Sequence, residues 1–227
     1  MARMLKPRLH STLLACSIAA AVAVACSGGG GGTTTVVRTV APAVPSPTVA
    51  PSGVDEVDRI ARSAVAGDVI NLAALTGYAH VPCTTSPPSS PKIGDPPPCE
   101  AGQADGRIVE ALPVTGCGPG WAQPIDAVGA YRVALAGRGV TLDAVYVPQP
   151  GPSPTGAAYR EQYVVVIKVD TGTGARRDVA LHIFGGRVVW VETACPPDAD
   201  LAATSRAQSF LVGPAATTVT PAATPTP

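Results

Sequence analysis

The sequence predicts an α+β domain: three helices from its first half packed on one face of a curved antiparallel sheet, in a cone-like roll with disordered tails. Three observations lead there. The periodic segments run helix, helix, strand, helix and then four strands, without the strand–helix alternation of a doubly wound fold. Gly185-Gly186 stands between two apolar runs, a strong hairpin signal. Glycine and proline crowd the two ends and leave room for one domain between about Val54 and Phe210.

Taken in order, Ser52 is placed to cap the first helix, with Asp55 at the third position after it in a capping-box arrangement. Val54, Val57, Ile60, Ala61, Ala64 and Val65 follow three-and-four spacing, with Asp58, Arg59 and Arg62 on the other side. The acids Asp55, Glu56 and Asp58 read as helix-start charges. Gly67 ends this helix, and Asp68 caps a shorter one carrying Val69, Leu72 and Leu75, ended by Gly77. Arg107 to Leu112 reads as a strand broken by Pro113, and His80 as a loop residue. A third helix is expected from about Ile125 to Ala136, with Ile125, Val128, Tyr131 and Leu135 on one side.

The remaining strands are Val140 to Val147, Tyr163 to Val169, Asp178 to Phe184 and Arg187 to Thr193. Strict alternation puts Leu142, Ala144 and Tyr146 on one face of the first, and Thr141, Asp143 and Val145 on the other. Across the Gly185-Gly186 turn it sets His182 opposite Val189, on the face with Ala180, Phe184 and Val191. Trp190 and Glu192 then fall on the opposite face with Leu181 and Ile183. Glu192 is expected to pair with Arg187 or solvent. Gly172-Thr173-Gly174 lacks the following helix of a phosphate loop and reads as a turn.

Outside this core, residues 1–25 are expected to be a signal peptide: Arg3, Lys6 and Arg8, then an apolar stretch from Leu13 to Ala25 too short for a comfortable transmembrane helix. Small residues then precede Cys26, although Leu13-Leu14-Ala15-Cys16 forms a second, earlier candidate that leaves almost no apolar core before the cut. This leader resembles a bacterial lipoprotein signal, with Ala23 where such signals usually carry Leu. The resemblance implies cleavage after Ala25 and lipid on Cys26. The rival reading takes Ala23-Val24-Ala25 as an ordinary A-x-A site releasing a soluble protein.

Residues 26–52 are read as the lipidated cysteine and a Gly, Thr and Pro tether, 53–212 as the domain, and 213–227 as a disordered Ala, Thr and Pro tail. The 16 basic residues less Arg3, Lys6 and Arg8 leave 13 against 16 acids, so the mature chain is mildly acidic. No basic face points to nucleic acid, and no polybasic segment to anionic lipid. The expected site is the outer face of the cell membrane, or the outer membrane where there is one, held by acyl chains.

Four cysteines remain for the domain: Cys83, Cys99, Cys117 and Cys195. An even number in an exported chain reads as a disulfide framework with three possible connectivities. Proximity favours Cys83 with Cys99, which leaves Cys117 with Cys195. No C-x-x-C spacing supports structural zinc, and neither metal nor cofactor is expected.

The element order resembles the cone-shaped roll of the nuclear-transport-factor and ketosteroid-isomerase superfamily, also called SnoaL-like. The likeness covers most of Val54 to Cys195 and rests on topology and on the helical segment Ala66-Gly67-Asp68 through Leu75. The chain also resembles exported lipoproteins of GC-rich bacteria. The roll implies a pocket between sheet and helices, in which a carboxylate or histidine acts as base and a tyrosine donates to an oxyanion.

Candidates are Tyr131, Asp143, Tyr146, Tyr163, His182, Trp190 and Glu192, with His182 or Asp143 as base beside Tyr146. No motif assigns them, and each is more economically read as core, rim or backbone-bonded. Trp121, after Gly118-Pro119-Gly120, reads as an anchor for its loop or as an exposed recognition residue. The expected function is a lipid-anchored, non-catalytic domain that binds a small molecule or an envelope protein. A small isomerase-like enzyme and a structural envelope protein are the alternatives.

Overall fold

The computed structural model describes residues 49–89, 94–150, 161–172, 174–197 and 199–214. The leader, Cys26, the tether up to residue 48 and the tail from residue 215 lie outside them. The described part is an α+β arrangement of three helices and an eight-stranded sheet.

Helix α1 spans Asp55–Val65 and buries Val57, Ile60, Ala61 and Ala64. Ser52 does not cap it; the N-cap is Val54, which makes no side-chain cap bond. Gly53 turns the chain at φ 82°, so Ser52 reaches past Asp55. Its N–H and hydroxyl both donate to Asp58 Oδ1, at 2.7 and 2.6 Å. Asp58 is therefore buried, not a solvent-side charge. Helix α2, Val69–Ala74, begins as expected: the Asp68 carboxylate accepts from Asn71 N–H at 3.0 Å.

The strands are β1 Ala79–Pro82, β2 Ile108–Thr115, β3 Pro119–Ala122, β4 Gly139–Pro148, β5 Tyr163–Asp170, β6 Arg176–Phe184, β7 Arg187–Thr193 and β8 Ala207–Val212. Seven run in the order β1-β2-β7-β6-β5-β4-β8, and β3 pairs β2. The sheet is mixed: β2 and β7 are parallel, at Val114 to Val191 and Thr115 to Glu192, and the other named pairs are antiparallel. Strands β1, β3 and β8 go beyond the elements the sequence predicts, and His80 lies in β1 opposite Glu110, not in a loop. Pro113 does not end β2. It pairs Trp121 on one side, while the parallel register on the other begins only at Val114, so the missing N–H breaks no ladder there.

Helix α3, Ala127–Ala134, buries Ala127, Tyr131 and Ala134. A 3-10 turn over Pro124–Asp126 precedes it. Its tighter winding rotates Ile125 away from the buried stripe, and that residue is 84% exposed.

Two β-bulges alter the expected faces. In β4, Leu142 pairs Ile167 and Ala144 pairs Val166, so Asp143 is an extra residue. Leu142 consequently joins Val145 on the helix side, with Ala144 and Tyr146 on the opposite face. In the β6–β7 hairpin, Gly185 and Gly186 turn at φ 57° and 71°. Phe184 pairs Arg187 and Ile183 pairs Val188, but His182 then pairs Trp190, so Val189 is extra. Trp190 and Glu192 thus share the face of His182, and Val191 moves to the other.

On the helix side, α1, α2 and α3 close over Leu112, Val165, Ile167, Leu181, Ile183 and Val191. On the opposite side, Leu201 and Ala202 of the segment between β7 and β8 pack on Ala144, Tyr146, Val164, Val166 and Ala180. Disulfides join Cys83 to Cys99 and Cys117 to Cys195. The second fixes the start of the covering segment to the β2–β3 turn.

Candidate functional site

The face away from the helices gathers most of the chemistry-bearing side chains. His182, its side chain 4% exposed, stacks on Trp190 with ring centroids 3.6 Å apart. A carboxylate faces each ring nitrogen. Glu192 Oε2 lies 3.2 Å from Nε2, and Glu161 Oε1 lies 3.5 Å from Nδ1, a contact too poorly aimed to be a hydrogen bond. From the covering segment, Arg206 Nη2 donates to Glu192 Oε1 and Oε2 at 3.0 and 2.8 Å.

The result is an alternating chain, Glu161, His182, Glu192, Arg206, drawn from a loop, two strands and the covering segment. Burial is the largest single influence on both carboxyls and pushes them up. The His182 contact outweighs it, with Arg206 at Glu192 and a backbone hydrogen bond at Glu161, so both sit below the ordinary glutamate value. Trp190 Nε1 donates to Thr115 Oγ1 at 2.9 Å, which holds the stack in place. The Tyr146 hydroxyl donates to the Leu201 carbonyl at 3.2 Å, and burial pushes its phenol up to about 12 against the opposing pull of Arg206.

A second row crosses the same face further along the strands. Lys168 Nζ pairs with Asp143 Oδ1 at 2.9 Å, while Asp143 Oδ2 is buried without a hydrogen-bond partner among the described residues. Asp178 Oδ2 accepts from Leu201 N–H at 3.1 Å, and burial holds that carboxyl above its usual range. An open cleft of about 380 Å³ lies beside this row, lined by Lys168, Arg176, Asp178 and Asp200.

Of the residues singled out in the sequence, His182, Trp190, Glu192 and Tyr146 come together, and Asp143 lies on the same face. Tyr131 and Tyr163 lie on the helix side instead. Tyr131 is fully buried, its hydroxyl 2.7 Å from Thr76 Oγ1, and burial holds its phenol far above the ordinary value. The space between helices and sheet, where a roll would hold its pocket, is filled by Ile60, Leu72, Leu112, Tyr131 and Leu181, all fully buried.

Glu161, Arg206, Lys168 and Asp178 are site residues that the sequence patterning does not single out. A lone Lys168 in the run Val164-Val165-Val166-Ile167-Lys168-Val169 is a usable signal; Glu161 in a loop and Arg206 in a 3-10 turn carry none. Glu192 does not meet Arg187, whose Nη1 donates to the Thr76 carbonyl at 3.3 Å. Among the described residues, no group of three or more His, Cys, Asp or Glu is placed to hold a metal.

A further open feature is a groove of about 540 Å³ between α3 and the β2–β3 pair. Ile125, Gly129 and Val133 line one wall, and Val114 and Trp121 line the other. Trp121 also fixes the preceding loop, donating from Nε1 to the Asp95 carbonyl at 3.0 Å.

No family model matches the chain, and neither does any curated protein.

Proposed function

We propose that this protein is an exported, lipid-anchored domain that works by contact at the cell envelope and not by catalysis. The observation that carries the reading is the division between its two faces. His182, Glu192 and Arg206 are matched to one another beneath the Cys195 to Arg206 segment, with the His182 side chain only 4% exposed. The groove beside α3 is an open apolar surface, where Ile125 is 84% and Val133 72% exposed. Two disulfides suit an oxidising space, and the apolar leader ending in small residues before Cys26 supports attachment by lipid there. For His182 to serve as the base of an isomerase-like enzyme, the covering segment would have to lift.

The test is made on whole cells. The intact chain should fractionate with membranes and enter a detergent phase, and Cys26→Ser should release it or leave it uncut. A photo-reactive residue at position 125 should give a discrete adduct, whereas one at exposed Arg107 should not. A chain that stays in the aqueous phase with Cys26 intact overturns the anchor. Absence of any adduct at 125 overturns the contact surface.

A further inference from the structure

The groove beside α3 has a wall that is nearly symmetric in sequence. Gly129 is exposed at the centre of the helical segment 124–134 that the 3-10 turn and α3 form together, and a Cβ built there meets nothing within 4 Å. Its φ is not positive, so neither backbone conformation nor internal crowding calls for glycine. Glycine in a helix interior nonetheless costs about 0.5 to 1 kcal/mol against alanine. Four residues before it stands Ile125 and four after it Val133, both exposed. Three before it stands Asp126 and three after it Arg132, both exposed and neither in an ion pair among the described residues.

We propose that α3 together with its leading 3-10 turn is the two-fold contact of a homodimer, in which these segments of two copies cross antiparallel at Gly129. A two-fold axis through that point brings a residue n places before Gly129 level with the partner residue n places after it. Ile125 of one copy then stands level with Val133 of the other, and Asp126 with Arg132, each relation occurring twice. A parallel pair would instead set Asp126 level with Asp126 and Arg132 with Arg132. The absent side chain at 129 lets the helix axes approach closely where they cross. The charge pattern favours a second copy over an unrelated peptide, because only a copy of this helix, run antiparallel, supplies the complement at both ends. The inference rests on the contact-surface reading and names its partner.

The experiment is sedimentation velocity on the full chain carrying Cys26→Ser, so that lipid does not associate the copies. It should show a concentration-dependent monomer–dimer equilibrium. Arg132→Asp or Asp126→Arg alone should weaken association by roughly tenfold or more, since each sets like charges level twice. The double variant Asp126→Arg with Arg132→Asp should restore it, and Gly129→Leu should abolish it while thermal melts remain cooperative. A protein still monomeric at roughly 0.2 mM, or a dimer indifferent to the charge swap, overturns the proposal. The adduct at position 125 separates the two readings. A heterologous adduct from a monomeric protein sinks the dimer and leaves the contact surface standing, whereas no adduct sinks both.

Discussion

His182 faces Trp190 across the β6–β7 ladder, rings stacked at 3.6 Å, because Val189 is an extra residue in β7. That residue resets the side-chain phase of the strand, so imidazole, indole and the Glu192 carboxylate come to one face. Without the bulge, Glu192 would point into the helix-side core as an unpaired charge, and Val191 would take its place over the polar row.

Glu192 is the hub of the alternating chain, bonded to His182 on one side and Arg206 on the other. Replacing it with Gln leaves Arg206 without its counter-charge and His182 without its carboxylate. Glu192→Gln should therefore cost about 2 to 4 kcal/mol in urea unfolding. Glu161→Gln should cost about 1 kcal/mol or less, because its 3.5 Å contact is not a hydrogen bond. Equal losses for the two would mean that Glu192 has no such central place.

The same carboxyls set the acid limb of stability. Both Glu161 and Glu192 lie below the ordinary glutamate value in the folded protein. Their contribution is complete above the unfolded-state value and is lost as pH falls through the folded values. Asp178, held above its usual range by burial, has the opposite sign: its contribution is greatest below the unfolded value and fades as pH rises through the folded one. Thermal melts between about pH 3 and 7 should show a steeper acid loss for Asp178→Asn than for wild type, and a shallower one for Glu192→Gln.

What the sequence shows clearly here is what is local. The Asp68 cap, the Gly185-Gly186 turn and the β-branched run of β5 are each written in a few adjacent residues. A bulge has no such mark, since Asp143 and Val189 sit in runs that alternate acceptably without one. Its effect is not local: one extra residue inverts every side chain beyond it, so strict alternation sets His182 on the face opposite Trp190 and Glu192. Strands β1, β3 and β8 are short, and β8 reads Ala-Gln-Ser-Phe-Leu-Val without clean alternation. Glu161, in a loop, and Arg206, in the 3-10 turn Thr204–Arg206, join the site only through tertiary packing.

Two glycines near α3 should respond to alanine with opposite signs. At Gly129 a methyl enters open space on a helix, so Gly129→Ala should raise stability by about 0.5 to 1 kcal/mol at concentrations where the chain is monomeric. At Gly137 the same methyl would lie 2.5 Å from the Asp170 carbonyl oxygen and 2.5 Å from Val169 Cγ1. Gly137→Ala should cost about 1 to 3 kcal/mol, as overpacking against backbone does. Matched urea titrations of the two variants make the comparison.

The disulfides should differ in what they protect. Cys83–Cys99 closes a sequence separation of 16, and Cys117–Cys195 one of 78. Loop-closure entropy assigns about 3 kcal/mol to the first and somewhat over 4 kcal/mol to the second. The second also ties down the segment bearing Leu201 and Arg206, whose remaining holds on the sheet include the Tyr146 and Asp178 bonds to Leu201 and the Arg206–Glu192 pair. Cys117→Ser with Cys195→Ser should therefore do more than lower the melting temperature. Limited proteolysis should cut between residues 196 and 206 well below the global transition, and amide exchange at Leu201 should accelerate. The Cys83→Ser with Cys99→Ser pair should instead loosen the loop they bracket and leave Leu201 protected. Equal protection of Leu201 in both pairs would show that the ion pair and hydrogen bonds hold the segment without the covalent tie.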